Sequence, residues 1–151
     1  MSPPLIRAVL ARLAVLREGL PAKIVPDVIL DAPPGVSCPA TAAVAQADCI
    51  LLVTEPTPFG LHDLGLALEA FTPLGKPMGV VINRAEADTT AVETLCRTAG
   101  LPILAAIPND RAVAETYARG GLLADVSPTL HSLCLQLANA VAALAGEARN
   151  A

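Results

Sequence analysis

The sequence predicts an α/β protein of three layers, with a mostly parallel sheet flanked by helices. Three observations carry this. Short apolar runs alternate with longer segments whose apolar residues recur at helical spacing. The short runs are continuous rather than alternating in polarity, which indicates strands covered on both faces. Strand–helix–strand alternation implies right-handed crossovers and therefore parallel pairing.

The elements follow in order. Leu5 to Glu18 places Leu5, Val9, Leu10, Leu13 and Leu16 at helical spacing, with Arg7, Arg12 and Arg17 largely off that face. The helix begins after a proline pair, and Gly19 and Pro21 end it. Val28-Ile29-Leu30 reads as a buried strand ending at Asp31, and Ala40 to Ala47 as a short helix of small residues. Cys49 to Val53 is a second buried strand. Gly60 to Phe71 is a helix stopped by Pro73 and Gly75. Gly79 to Ile82 is a third strand, and Asp88 to Ala99 a helix with Asp88 as its cap. Ile103 to Ile107 is the fourth strand, followed by a helix from Asp110 to Arg119 that Gly120-Gly121 stops. Ser127 caps a last helix running to about Ala145, with Glu147 to Ala151 at a fraying end. With no internal repeat and no linker, residues 1–151 read as a single domain.

Composition narrows the function classes. Hydrophobic residues make up 54% of the 151 and charged residues 16%, which excludes a disordered chain. Aromatic residues are 2%, so Ala, Val, Leu and Ile build the core, and stacking platforms for single-stranded nucleic acid are excluded. A net charge of −4 without a basic patch gives no support to a nucleic-acid partner. No apolar run reaches the roughly 18–20 residues of a membrane span. Met1-Ser2-Pro3-Pro4, followed by Arg7 and Arg12, does not make a signal peptide. The expectation is a cytoplasmic protein without membrane insertion. Cys38, Cys49, Cys96 and Cys134 form no C-x-x-C pair and are expected mostly as buried thiols. His62 and His131 lack ligand-like spacing.

In open parallel sheets, ligands bind beyond the carboxyl ends of the strands. Those ends are Asp31-Ala-Pro-Pro-Gly35, Thr54-Glu-Pro-Thr57, Asn83-Arg84 and Pro108-Asn109-Asp110, and parallel topology brings them to one rim. Asp31 stands out because a carboxylate at the end of a buried strand suits the orientation of a magnesium-bound water beside a phosphate. Its alternative is a helix cap or a loop acceptor. Pro33-Pro34-Gly35 makes a stiff bend with a flexible end.

Asp27-Val-Ile-Leu-Asp-Ala-Pro-Pro-Gly35, with Cys38-Pro39 after it, resembles the Walker B and switch II segment of the MinD/ParA/CobQ/CobB superfamily of P-loop ATPases. The likeness is greatest to the MinD-like branch that carries an inserted ferredoxin domain. Leu52-Val-Thr-Glu-Pro-Thr-Pro-Phe-Gly-Leu-His-Asp63, Gly79-Val-Val-Ile-Asn-Arg84 and Ile107-Pro-Asn-Asp110 resemble the same branch, in the same order. The resemblance implies a P-loop NTPase-like fold and Mg-ATP as ligand. It implies Asp31 as the aspartate that holds magnesium through water, and Gly35 as the switch glycine that senses the terminal phosphate. It implies Asn83 as the hydrogen-bonding partner of adenine, and Pro108, Asn109 and Asp110 as the loop against adenine and ribose. For Asn83 the alternative is a turn residue after a strand.

The departure from the family is as specific as the likeness. The Gly-rich phosphate loop ending in Gly-Lys-Ser/Thr is absent: Gly75-Lys76 is followed by Pro77 and lacks the preceding glycine. Met1 to Val9 resembles an internal segment of longer family members. The expectation is a chain truncated at the N-terminus, a remnant, a split gene product or a reading frame begun at an internal Met. Catalysis by this chain alone is not expected, and nucleotide binding is expected to be weak. Cys38 stands seven residues after Asp31, the spacing of a cluster-ligating cysteine in nitrogenase-type iron proteins. No second cysteine is clearly supplied, so a free thiol is expected and an iron–sulfur cluster is not.

Two other functions compete with the nucleotide-handling one. One is a degenerate interaction module without nucleotide. The other is part of an enzyme resembling cobyrinic acid a,c-diamide synthase, for whose glutaminase domain 151 residues leave no room. In the family the phosphate-loop strand lies beside the strand ending at Asp31. Without it, Val28 to Leu30 lack backbone partners, which favours a homodimer or a separate chain carrying the missing half; the alternative is closure of the gap, with the strand ending at Asp31 pairing directly with Cys49–Val53.

Overall fold

A computed structural model of the chain describes residues 3–19, 27–85 and 88–150. They fall into two compact units, Met1–Ala47 and Asp48–Ala151. The first contains α1 (Pro3–Glu18) and α2 (Cys38–Val44), which pack on each other. Ile6, Ala40 and Ala43 are buried, whereas Val9, Val15 and Leu16 on α1 are exposed. The apolar stripe expected on α1 is thus only partly covered. Pro21, expected to help end α1, lies outside the described residues.

Val28-Ile29-Leu30 is not the buried strand that its β-branched run predicts. Residues 27–33 lie outside helix and strand, and Ile29 is 93% exposed. A strand exists only through its ladder, and the run is three residues long before Asp31 and the donor-less Pro33-Pro34. Local propensity without a pairing partner does not make a strand.

The second unit holds the sheet. β1 (Ile50–Thr54), β2 (Met78–Ala85) and β3 (Ile103–Pro108) are parallel, in the spatial order β1-β2-β3. Ile50 pairs with Met78 and Thr54 with Ile82, so β1 and β2 start together and β2 runs three residues further, to Ala85. α3 (Pro58–Phe71) and α4 (Thr90–Ala99) form the crossovers, and they touch each other. Right-handed crossovers put both on one face. α5 (Arg111–Ala118) follows β3, and α6 (Pro128–Asn150) returns to pack on β3 and β2.

β2 is the core strand: Met78 to Ile82 are all buried. β1 alternates instead, with Ile50, Leu52 and Thr54 buried while Leu51 is 38% and Val53 63% exposed. Full coverage of both faces, expected from its apolar run, therefore fails at β1. It is an edge strand, and α3 covers one face of it. β3 is partly covered in the same way.

The boundaries are set by caps. Thr57 Oγ1 accepts from Gly60 N at 3.0 Å and starts α3, with Pro58 in its first turn. Asp88 Oδ1 accepts from Thr90 N at 3.1 Å, Asp110 Oδ1 from Ala112 N at 2.8 Å and Ser127 Oγ from Leu130 N at 3.2 Å. Ser127 is thus the cap that was expected, Asp110 caps α5 without having been singled out for it, and Asp88 sits one residue before Thr89, which holds the N-cap position of α4. The bond from Thr90 N holds the Asp88 carboxyl below its usual range. α6 runs to Asn150, beyond the expected end near Ala145. Its segment Pro128–Gly146 is, by length and composition, long and apolar enough to cross a membrane. His131, Ser132, Gln136 and Asn139 punctuate that segment, which is why no apolar run registers there.

The thiols are less uniformly buried than expected. Cys96 is buried beside Val92, and desolvation pushes its thiol up. Cys49 and Cys134 are half-buried and Cys38 is exposed. In native protein at neutral pH, iodoacetamide should therefore modify Cys38 first and Cys96 only on unfolding, as read by peptide mass spectrometry. Rapid native labelling of Cys96 would contradict this core.

The turn after β1 is the tightest in the second unit. Thr54 is buried and its Oγ1 donates to the Gly60 carbonyl at 2.9 Å. A Cβ on Gly60 would lie 2.3 Å from the Glu55 carbonyl oxygen, which only a backbone shift relieves. Gly60→Ala should cost about 1–3 kcal/mol in denaturant unfolding. Gly65→Ala, where a Cβ meets nothing within 4 Å, should be neutral or stabilising.

Candidate functional site

Parallel strands of matched register place their carboxyl ends on one edge. In the Asp48–Ala151 unit that edge carries Thr54-Glu55 after β1, Asn83-Arg84-Ala85 closing β2, and Pro108-Asn109-Asp110 closing β3. Ala85 pairs with Pro108, and Asn109 N donates to the Ala85 carbonyl at 3.4 Å. The structure thus brings together four of the expected site residues: half-buried Asn83 and exposed Pro108, Asn109 and Asp110. The Asp110 carboxylate caps α5, yet a carboxylate accepting one bond retains further acceptor positions.

Asp31, Pro33, Pro34, Gly35 and Cys38 belong to the other unit, Met1–Ala47. Asp31 is exposed and follows irregular backbone rather than a strand. Gly35 has φ 75°, a left-handed conformation that suits glycine, and a Cβ there would meet nothing within 4 Å. Its need for glycine is therefore conformational and not steric. Cys38 is the exposed first residue of α2. Among the described residues no three His, Cys, Asp or Glu side chains gather in a metal-holding group. One carboxylate at Asp31 does not by itself make a magnesium site, so the metal would have to arrive with a phosphate ligand.

Two residues at the rim were not singled out by the sequence. From Ile82 to Ala85 β2 advances three residues while β3 advances two, Ala106 to Pro108, so β2 carries one extra residue at Asn83-Arg84. Arg84 has φ 50°, the left-handed region. For a residue with a Cβ that conformation costs about 1–2 kcal/mol. The Arg84 guanidinium faces Glu55 across the ends of β2 and β1, with Nη1 3.6 Å from Oε1 and side chains 66% and 39% exposed. At that distance it is a solvent-screened ion pair and not a hydrogen bond, worth about 0–1 kcal/mol. The attraction does not offset the strain. Glu55 and Arg84 were visible in the sequence as neighbours of the motif residues, but a bulge and a positive φ leave no composition signal.

Beside the rim, a cavity of about 560 Å³ opens between β3 and α6, lined by Ala106, Pro108, Asp110, Ser127, Leu130 and Gln136. Its wall mixes carboxylate, hydroxyl and amide groups with aliphatic carbon. A second groove of about 490 Å³ lies between α3 and α4, lined mainly by Leu61, Gly65, Leu66, Ala91 and Leu95.

No family model matches the chain. It is 30% identical over 92 residues to an uncharacterised protein of Methanocaldococcus jannaschii, a match that covers 61% of this chain and 31% of that protein. Its structure is similar to that of the MinD cell division protein of Aquifex aeolicus, with a TM-score of 0.61 and 18% identity, over 74% of this chain and 51% of MinD. The chain thus spans about a third of the one relative and about half of the other. The fold, a parallel three-stranded sheet flanked by helices, is α/β and similar to the matched half of the MinD structure.

Proposed function

We propose that this chain supplies the base-binding rim of a nucleotide-handling protein of the MinD/ParA class, and that alone it is catalytically incomplete. The observation that carries the reading is the joining of Asn83 to Pro108-Asn109-Asp110 on one rim, through the Ala85–Pro108 pair and the Asn109 N–Ala85 O bond. An Asn carboxamide offers a donor and an acceptor to the edge of adenine. The sequence has no Gly-Lys-Ser/Thr loop, whose amides and lysine provide most phosphate affinity in such proteins. Titration calorimetry with Mg-ATP should accordingly give saturable binding weaker than micromolar, abolished by Asn83→Ala, with no phosphate release. Absence of any saturation by ATP, ADP or adenosine would overturn the base-binding role. Micromolar affinity or turnover would overturn the incompleteness.

A second reading, association with a further chain, is favoured by the outer face of β1. Leu51 and Val53 are exposed there, and on its far side β1 has no ladder partner among the described residues. An open edge with apolar side chains recruits another strand. We propose a homodimer as the first such assembly. Light scattering at low micromolar concentration should give twice the 15.4 kDa chain mass. A sharp monomer that binds no apolar dye would exclude it.

A further inference from the structure

We propose that Arg84 is the anion-contacting residue of the rim, gripping a phosphoryl group of the bound ligand, and that Glu55 is a resident counter-ion which that group displaces. The inference rests on the nucleotide reading of Asn83 but makes a separate claim about the next residue.

The backbone supplies the first argument. The extra residue in β2 sits where bulges of this kind hold a glycine, and Arg84 adopts φ 50° there. Glycine would occupy that conformation without strain, so an arginine at this point is explained by its side chain. The side chain supplies the second. Its carboxylate partner, Glu55 Oε1, stands at 3.6 Å, outside hydrogen-bonding reach, and the guanidinium is mostly in solvent. Among the described residues, the ion pair is therefore weaker than the strain that accompanies it. A guanidinium has five donors in a planar fork that fits phosphate in bidentate fashion, and a loose carboxylate holds such a fork in place without saturating it.

Charge at the rim supplies the third argument. Arg111, in the first turn of α5, is committed to Glu115 with Nε 2.8 Å from Oε1. Arg84 instead bridges the ends of two strands, one residue from Asn83. Bulges next to binding sites re-aim side chains, and here the re-aimed side chain is cationic. The ligand chemistry is a phosphoryl anion, carried by a nucleotide or free.

Calorimetric titration of the full chain, Arg84→Gly, Arg84→Lys and Glu55→Gln with adenosine, ADP and inorganic pyrophosphate separates these sources. Arg84→Gly should raise the Kd for ADP and pyrophosphate roughly tenfold or more, the loss typical of a charge-assisted bond. It should leave the adenosine Kd unchanged and keep or raise Tm, because strain is relieved. Arg84→Lys should fall between, keeping the charge without the fork. Glu55→Gln should tighten pyrophosphate. If Arg84→Gly binds ADP like the wild type, the proposal is overturned while the nucleotide reading stands. If wild-type protein binds pyrophosphate, loses it in Arg84→Gly and ignores adenosine, the Arg84 role stands and the nucleotide reading falls. If neither ADP nor pyrophosphate binds, the Arg84 role falls, and if adenosine and ATP also fail to bind, the nucleotide reading falls with it. A Tm drop in Arg84→Gly, or weaker pyrophosphate binding in Glu55→Gln, would equally overturn the strain or counter-ion argument.

Discussion

The second unit depends on burying one strand on both faces. Val80, Val81 and Ile82 have almost no solvent exposure, and β2 is flanked in parallel by β1 and β3. A strand buried on both faces needs cover on both; α6 packs on β2 and β3, and α3, which touches α4, packs on β1. Small residues make the fit possible. A Cβ on Gly79 would lie 2.5 Å from Leu104 Cδ1, so the glycine leaves room for a leucine of β3 over the sheet. Once β2 is fixed, parallel pairing leaves no choice about where the strands finish, and the polar residues after each apolar run meet on one edge.

Sequence reasoning captured what periodicity and capping chemistry encode. β1, β2, β3 and the four helices of the second unit lie within a few residues of their expected bounds, and Ser127 caps α6 where a periodic apolar segment begins, while Asp88 lies one residue before the N-cap of α4. The failures share one cause. Val28-Ile29-Leu30 has the composition of a buried strand but no ladder, and Leu51 and Val53 have that of a covered face without a cover. An apolar run reports that a segment would gain by burial; it does not report whether a neighbour is there. At the candidate rim, the positions of Asn83 and Pro108 to Asp110 were legible because each follows an apolar run. Arg84 was not, because a one-residue bulge is decided by the register of β2 against β3, a relation between two segments distant in the sequence. The family resemblance predicted the fold that MinD shares; identity of 18% carries the fold and leaves the chemistry to the residues themselves.

The caps also bear on how this rim can hold an anion. Helix N-termini are the usual anion sites of parallel α/β proteins, because their first amides lack partners. Here α3, α4, α5 and α6 each have an amide of the first turns bonded to a side chain, from Thr57, Asp88, Asp110 and Ser127 respectively. Two of those side chains are carboxylates, which place negative charge where a phosphate would otherwise be attracted by the helix dipole. Backbone amides are therefore poorly placed to supply phosphate affinity in this unit, and the task falls to side-chain cations. That turns the strained backbone at Arg84 from a local irregularity into the feature on which the proposed anion contact at this edge rests. A chain that had kept glycine there would fold with less strain and present, beside Asn83, an edge with the carboxylates of Glu55 and Asp110 but without the Arg84 guanidinium.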